Sequence, residues 1–272
     1  RRGIMCASFI RKSLNTFING LIRKKTSTKT KNVGMTDIAA SPARKYPAIK
    51  NIPAPVTVNI SNVFVATCDE EIADQARKYG GKVIMTSDQH LTGTTRVAEA
   101  VEQIDCTHVL ILQGDEPLLL PQHLDLIVSH LVAEPGIDAW NVTGPINKSQ
   151  ELDRHSFVKC AVTEQGRILY CFRRSPSHND TDQQRSYIRK ILGIIAFRKS
   201  TLIKLAALKP TPIEKMEFIE QIRIIENGYS FYSVPVDHST PSVNEPNDTI
   251  AILETLKNDH QQAVFLKKIL PN

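Results

Sequence analysis

The chain has 272 residues, 34 Lys and Arg against 28 Asp and Glu for a formal net charge of +6, and 41% hydrophobic residues. That is enough apolar material for one sizeable α/β core and too much for a disordered chain. No stretch approaches the ~18 uninterrupted apolar residues of a spanning helix, so no membrane span is expected. The five cysteines (Cys6, Cys68, Cys106, Cys160, Cys171) are scattered without a C-x-x-C pair, which argues for reduced thiols in a cytoplasmic compartment. The charge is uneven: nine of the basic residues and no acid fall in residues 1–35, leaving 25 basic against 28 acidic beyond them. Residues 1–35 are read as a basic, disordered extension and residues 36–272 as the domain. A transit peptide, a membrane-surface helix and a nucleic-acid arm are the alternatives for the extension, and Met35 offers a start. The body carries no basic stripe interleaved with aromatics, so no nucleic-acid partner is expected.

From Asn62 onward, short apolar runs alternate with amphipathic segments, the βαβ pattern of a parallel sheet. Val63–Thr67 reads as a strand, and Asp69 as the N-cap of a helix over Glu70–Tyr79 that stops at Gly80-Gly81. Lys82–Thr86 is a second strand, followed by a polar loop. Val97, Ala100, Val101 and Ile104 then recur at helical spacing from Arg96. His108–Leu112 is a buried strand running into Gln113-Gly114-Asp115-Glu116-Pro117, and Pro121 suits the first turn of the next helix. Val158–Val162 and Arg167–Phe172 flank Glu164-Gln165-Gly166 as a hairpin, a departure from a purely parallel sheet. Leu192–Phe197 and Tyr229–Val236 read as strands. Thr211-Pro212-Ile213-Glu214 opens one helix as a capping box, with Gly228 past its end, and Asn247–Lys257 forms a last helix.

Three features carry chemistry. Asp115 follows a buried strand, where open α/β sheets place ligands. It is positioned to hold Mg²⁺ beside a phosphate or, equally, to be a turn residue capping the next element. The loop His90–Arg96 offers hydroxyls, a helix N-terminus and one guanidinium for an anion or nucleotide, or else is an ordinary Thr-rich cap. Glu214, Glu217 and Gln221 form a polar stripe on the helix after Thr211, with Glu220 nearby, facing either solvent or a polyhydroxylated ligand. His155, His178 and His238 lack ligand spacing and read as surface residues.

In combination these segments resemble a known family. Met85-Thr86-Ser87, His90, Gly93-Thr94 and Arg96, then Gln113–Pro117, Val158-Lys159, Arg174-Ser175-Pro176, Gly193-Ile194, Pro212-Ile213-Glu214, Glu217, Glu220-Gln221, Arg223 and Pro246 resemble the CMP-Kdo synthetases, 3-deoxy-manno-octulosonate (Kdo) cytidylyltransferases. The resemblance implies a Rossmann-like nucleotidyltransferase of the nucleotide-diphospho-sugar transferase type, a mixed sheet flanked by helices with an antiparallel hairpin insertion. It implies attack of the sugar acid's anomeric hydroxyl on the α-phosphate of CTP, giving CMP-Kdo for lipopolysaccharide biosynthesis and pyrophosphate. Asp115 and Arg96 take catalytic roles under this reading. Asp115 and Asn244 hold Mg²⁺. Arg44, Lys50, Gly93, Thr94 and Arg96 bind the nucleotide. Gln113, Lys159, Arg174, Glu220 and Gln221 bind the sugar acid, with the Arg174 fork on its carboxylate. A homodimer is implied as well.

Some positions depart from the family pattern. Ser41-Pro42-Ala43-Arg44 begins like the family's triphosphate loop, but Lys45–Lys50 is shortened and lacks its glycine. Asn244 stands where the family has a second metal-binding Asp. Ile191 and Ile195 stand where it has a His and a Tyr. These departures favour, as alternatives, the same chemistry on a less polar acid or a non-catalytic family member.

Overall fold

A computed structural model describes residues 3–9, 60–178, 180–243 and 248–269. The described strands are β1 (Gly3–Phe9), β2 (Ile60–Thr67), β3 (Lys82–Met85), β4 (Cys106–Gln113), β5 (Ala139–Gly144), β6 (Lys159–Val162), β7 (Ile168–Phe172), β8 (Ile188–Arg198) and β9 (Phe231–Pro235). They form one sheet in the order β3-β2-β1-β4-β8-β5-β9, with β6 hydrogen-bonded to β8 and β7 to β6. The β3-β2-β1-β4 half is parallel. The chain then reverses: β8 is antiparallel to both β4 and β5, and β9 is parallel to β5. The mixed sheet and the β6–β7 hairpin are as the sequence predicts, with Cys160 opposite Cys171 across that hairpin.

The helices are α1 (Glu70–Lys78), α2 (Gly93–Val101), α3 (Pro121–Ala133), α4 (Thr181–Gln184), α5 (Lys199–Ala207), α6 (Pro212–Glu217), α7 (Ile222–Glu226), α8 (Asp248–Asn258) and α9 (His260–Ile269). Asp69 caps α1 as predicted, its Oδ1 accepting from the amides of Glu71 at 3.0 Å and Ile72 at 3.3 Å. Strand alternation sends successive side chains to opposite layers. Val109, Ile111, Ile195 and Phe197 pack with Val97 and Val101 of α2 and Leu202 and Leu205 of α5. Leu110, Ile194 and Ala196 pack with Ile127 and Leu131 of α3 and with the fully buried Trp140. Each such large apolar side chain contributes roughly 1.5–3 kcal/mol of burial.

Two expectations are corrected. Gly3–Phe9 is a central strand paired on both sides, Cys6 opposite Val63 of β2 and Leu110 of β4. To that extent the boundary at residue 35 is wrong, because a strand hydrogen-bonded along both edges belongs to the sheet; the rest of the basic segment lies outside the described residues. The single helix expected from Thr211 to Gly228 is two, α6 and α7. Phe218 has φ +54°, in the left-handed region, where an L side chain crowds the following carbonyl and helix cannot continue. Glu214, Glu217 and Gln221 therefore share no single helical stripe. The sequence pattern does not predict strands β1 and β5 or helices α4, α5 and α9.

Candidate active site

The carboxyl end of β4 opens on a cavity of about 590 Å³. One wall is the N-terminus of α2. Thr92 is its N-cap, its hydroxyl accepting from the Thr95 amide at 3.3 Å, and Gly93 lines the cavity. The preceding loop is held from behind. Arg96, 4% exposed, donates from Nη1 to Thr86 Oγ1 (2.7 Å) and the Ser87 carbonyl (3.0 Å), and from Nη2 to the His90 carbonyl (3.5 Å). Glu99 accepts from the Ser87 amide at 3.1 Å and pairs with His90 Nε2. That hydrogen bond to His90 holds the Glu99 carboxyl below its usual range.

The floor is the Gln113-Gly114-Asp115-Glu116 turn. It is tied to the 242–243 segment by the Val243 amide, which donates to the Asp115 carbonyl at 2.8 Å. Glu116 Oε1 accepts from the Gly193 amide and from Ser242 Oγ, each at 2.9 Å. Burial raises the Glu116 carboxyl to about 7, with the neighbouring Asp115 adding to the rise and the two hydrogen bonds opposing it. Glycine at 193 is required by close approach: a Cβ there would lie 2.7 Å from Glu116 Cγ and 2.9 Å from Gln113 Cβ.

The break at Phe218 creates the third wall. The turn between α6 and α7 brings Glu220 and Gln221 to the cavity. Glu220 Oε1 is shut off from solvent with no hydrogen-bond partner among the described residues. Burial raises its carboxyl, and hydrogen bonding with the Thr92 and Thr94 side chains opposes the rise. Behind this turn Arg223 grips Glu214 bidentately, Nε to Oε2 at 2.8 Å and Nη2 to Oε1 at 2.5 Å, with both residues buried. Burial pushes the Glu214 carboxyl up, but the Arg223 hydrogen bonds outweigh it and leave the group below its usual value. Arg173 spans the mouth, donating to the carbonyls of Glu217 (3.0 Å), Phe218 (3.0 Å) and His155 (2.8 Å).

Of the residues nominated by sequence, Gly93, Gln113, Asp115, Glu220 and Gln221 meet at this cavity, and Thr94 lines a narrow cleft beside it. Three are placed elsewhere. Arg96 stands behind the loop rather than on the cavity, where the catalytic role implied by the resemblance would place it, and its donors hold the loop in shape. Lys159 is fully buried and donates to the carbonyls of Glu151 (3.1 Å) and Arg154 (2.7 Å), a structural use of its ammonium. Arg174 is exposed and off the cavity, while its neighbour Arg173 lines it. Arg44, Lys50 and Asn244 lie outside the described residues. Ile191 lines the cavity and Ile195 the cleft. His155, His178 and His238 are exposed, as expected. Sequence reasoning missed Arg173, Lys190 and Ser242, and quoted Glu116 without assigning it. The signal for Lys190 was a lysine inside a strand three residues before the close-packed Gly193.

A cytidylyltransferase family profile matches residues 48–233 of the chain. The chain belongs to the cytidylyltransferase family. The relatives of this cytidylyltransferase include the 3-deoxy-manno-octulosonate cytidylyltransferase of Geobacter metallireducens, 34% identical over 72% of this chain and 82% of that protein. The one from Geotalea uraniireducens is 31% identical over 85% of this chain and 95% of that protein. A solved structure described as CMP:2-keto-3-deoxy-manno-octonic acid synthetase complexed with CTP matches with TM-score 0.69 and 23% identity, covering 98% of this chain and 99% of that one. It shows the shared fold. Among the described residues of this cytidylyltransferase no helix is long and apolar enough to cross a membrane.

Proposed function

We propose that the chain transfers CMP from CTP to 3-deoxy-manno-octulosonate, releasing pyrophosphate. The observation that carries this reading is the convergence of the α2 N-terminus, Asp115 and Glu220-Gln221 on one cavity in a chain of this family. In-line displacement at the α-phosphate asks for positioning and charge neutralisation rather than covalent catalysis. The α2 terminus and the Thr92 and Thr94 hydroxyls suit the nucleotide. Gln113, Glu220 and Gln221 supply polar groups for the hydroxyls of the sugar acid, and Glu220 Oε1, without a hydrogen-bond partner among the described residues, is an acceptor for one.

The donors present fit Mg²⁺ in part. Among the described residues no group of three or more His, Cys, Asp or Glu is arranged to hold a metal ion, and Glu116 Oε1 is occupied by two donors. Asp115 offers a hard carboxylate on the cavity, and Mg²⁺ is commonly held by one or two carboxylates with substrate phosphate and water completing the shell. When bound there, Mg²⁺ would neutralise charge on the phosphate oxygens. We also place the chain in a reducing compartment, which the free thiols at Cys68, Cys106, Cys160 and Cys171 among the described residues support; the homodimer rests on the family resemblance alone.

Ile191 on the cavity wall favours a second reading, the same chemistry on a sugar acid with fewer hydroxyls. A pyrophosphate-release assay with CTP, Mg²⁺ and Kdo tests both. Release with Kdo is expected, and Asp115→Ala should reduce it by about 10²–10³-fold, the scale of losing one placed electrostatic partner. Release with a less hydroxylated acid but not with Kdo supports the second reading, and release with no sugar acid overturns both.

A further inference from the structure

Lys190 and Lys159 stand opposite each other in the antiparallel register of β8 and β6, and both are buried, at 5% and 0% exposure. Their ammonium groups are treated differently. Lys159 spends its donors on two carbonyls. Lys190 makes no side-chain hydrogen bond among the described residues; its Nζ lies 4.0 Å from the centroid of the Phe157 ring. Arg154 lies 4.4 Å from that same ring. Lys190 and Phe157 both line the cavity, beside Asp115, Glu116 and Gly193.

Burying most of a lysine whose ammonium has no hydrogen-bonded partner carries a desolvation cost, and contact with an aromatic face returns only part of it. Burial accordingly lowers the Lys190 pKa. Glu116, Glu151 and Asp248 oppose this through space, and Arg154 adds to it. None of these carboxylates is an ion-pair partner of Lys190. A cation kept at such a cost, with its donors unspent among the described residues and lining a cavity, is prepared for a ligand that brings anionic oxygens.

We propose that Lys190, held against Phe157, is the anion seat of this cavity and takes a carboxylate or phosphate oxygen of a bound substrate. Arg174, nominated from sequence for that task, is off the cavity. The assignment deepens the cytidylyl-transfer reading and rests on it for the identity of the two candidate anions, the carboxylate of the sugar acid and the phosphate of CTP.

The test is steady-state kinetics of Lys190→Met and Lys190→Arg beside the unmodified chain, varying Kdo and CTP separately, with thermal midpoints recorded for all three. Lys190→Met is expected to raise KM for one substrate ten-fold or more: for Kdo if the anion is the carboxylate, for CTP if it is the phosphate. Lys190→Arg should recover most of the loss. Because the methionine removes an uncompensated buried charge, its midpoint should equal or exceed that of the unmodified chain, whereas removing a structural lysine lowers it. Smaller changes in both KM values, in an enzyme otherwise active, overturn the proposal while leaving the function intact. If the unmodified chain releases no pyrophosphate, the proposed function fails and calorimetric titration with oxalate and with inorganic pyrophosphate decides the seat. Ten-fold weaker binding of either anion by Lys190→Met upholds it, and equal binding of both overturns it.

Discussion

Single residues at this site carry opposed demands, and Glu116 shows them in one side chain. Its carboxyl fixes β4 to β8 and to Ser242 through Oε1, yet burial lifts its pKa to about 7, above the ordinary glutamate value near 4.3. The folded state therefore binds a proton that the unfolded chain has released. Stability from this group is full below about pH 4 and lost as pH rises toward and through 7. Urea unfolding of the metal-free chain between pH 4 and 8 should show this loss, up to about 4 kcal/mol at a rate of 1.36 kcal/mol per pH unit, and Glu116→Gln should flatten it. The Arg223–Glu214 pair makes the opposite case. Glu214 is held below its usual value, so its contribution is present at neutral pH and lost as pH falls through the folded pKa. Arg223→Ala leaves a buried carboxylate alone, and a destabilisation of about 3–5 kcal/mol is expected in the same urea titration.

At the level of elements, the break between α6 and α7 decides where Glu220 and Gln221 stand. The residues that cause it carry no conventional helix-stop signal: Phe218 is neither Gly nor Asn, and the apolar spacing through Ile219, Ile222 and Ile225 continues the helical period. What holds Phe218 at φ +54° is tertiary, the two bonds from Arg173 to the carbonyls of Glu217 and Phe218. Phe218 is 82% exposed, so its side chain gives up little packing when removed. Phe218→Gly should accordingly stabilise the fold by about 1 kcal/mol by relieving left-handed strain, read as a higher urea midpoint. Arg173→Ala should loosen the turn and raise KM for the sugar acid more than for CTP.

For the molecule as a whole, the sheet changes direction at β8, the seam where β4 and its parallel neighbours meet the antiparallel strand that delivers Lys190 and Gly193. Strand β1 stands inside the parallel half, hydrogen-bonded to β2 and β4. Removing residues 1–9 would leave two strand edges unpaired at the centre of the sheet, and buried unpaired backbone groups each cost about 1–3 kcal/mol. Such a truncation is expected to abolish cooperative unfolding by circular dichroism. A chain that keeps its transition without those residues would show the segment to be dispensable, as its basic, acid-free composition suggests.

The sequence by itself determined the layered α/β class, the hairpin, the cap at Asp69, and the pieces Gly93, Gln113, Asp115, Glu220 and Gln221. Local periodicity, capping chemistry and strand-end position act over a few residues and leave marks in linear order. Tertiary structure alone decided which cations serve the cavity. Arg96, Lys159, Arg174 and Lys190 are alike in charge along the chain, and only their placement separates them: Arg96 behind a loop, Lys159 on carbonyls, Arg174 off the cavity and Lys190 facing it. The same holds for Phe218 and β1, whose conformations depend on partners distant in sequence. A charge or an apolar run states what a segment needs, and the fold decides whether that need is met within the protein or left for a ligand.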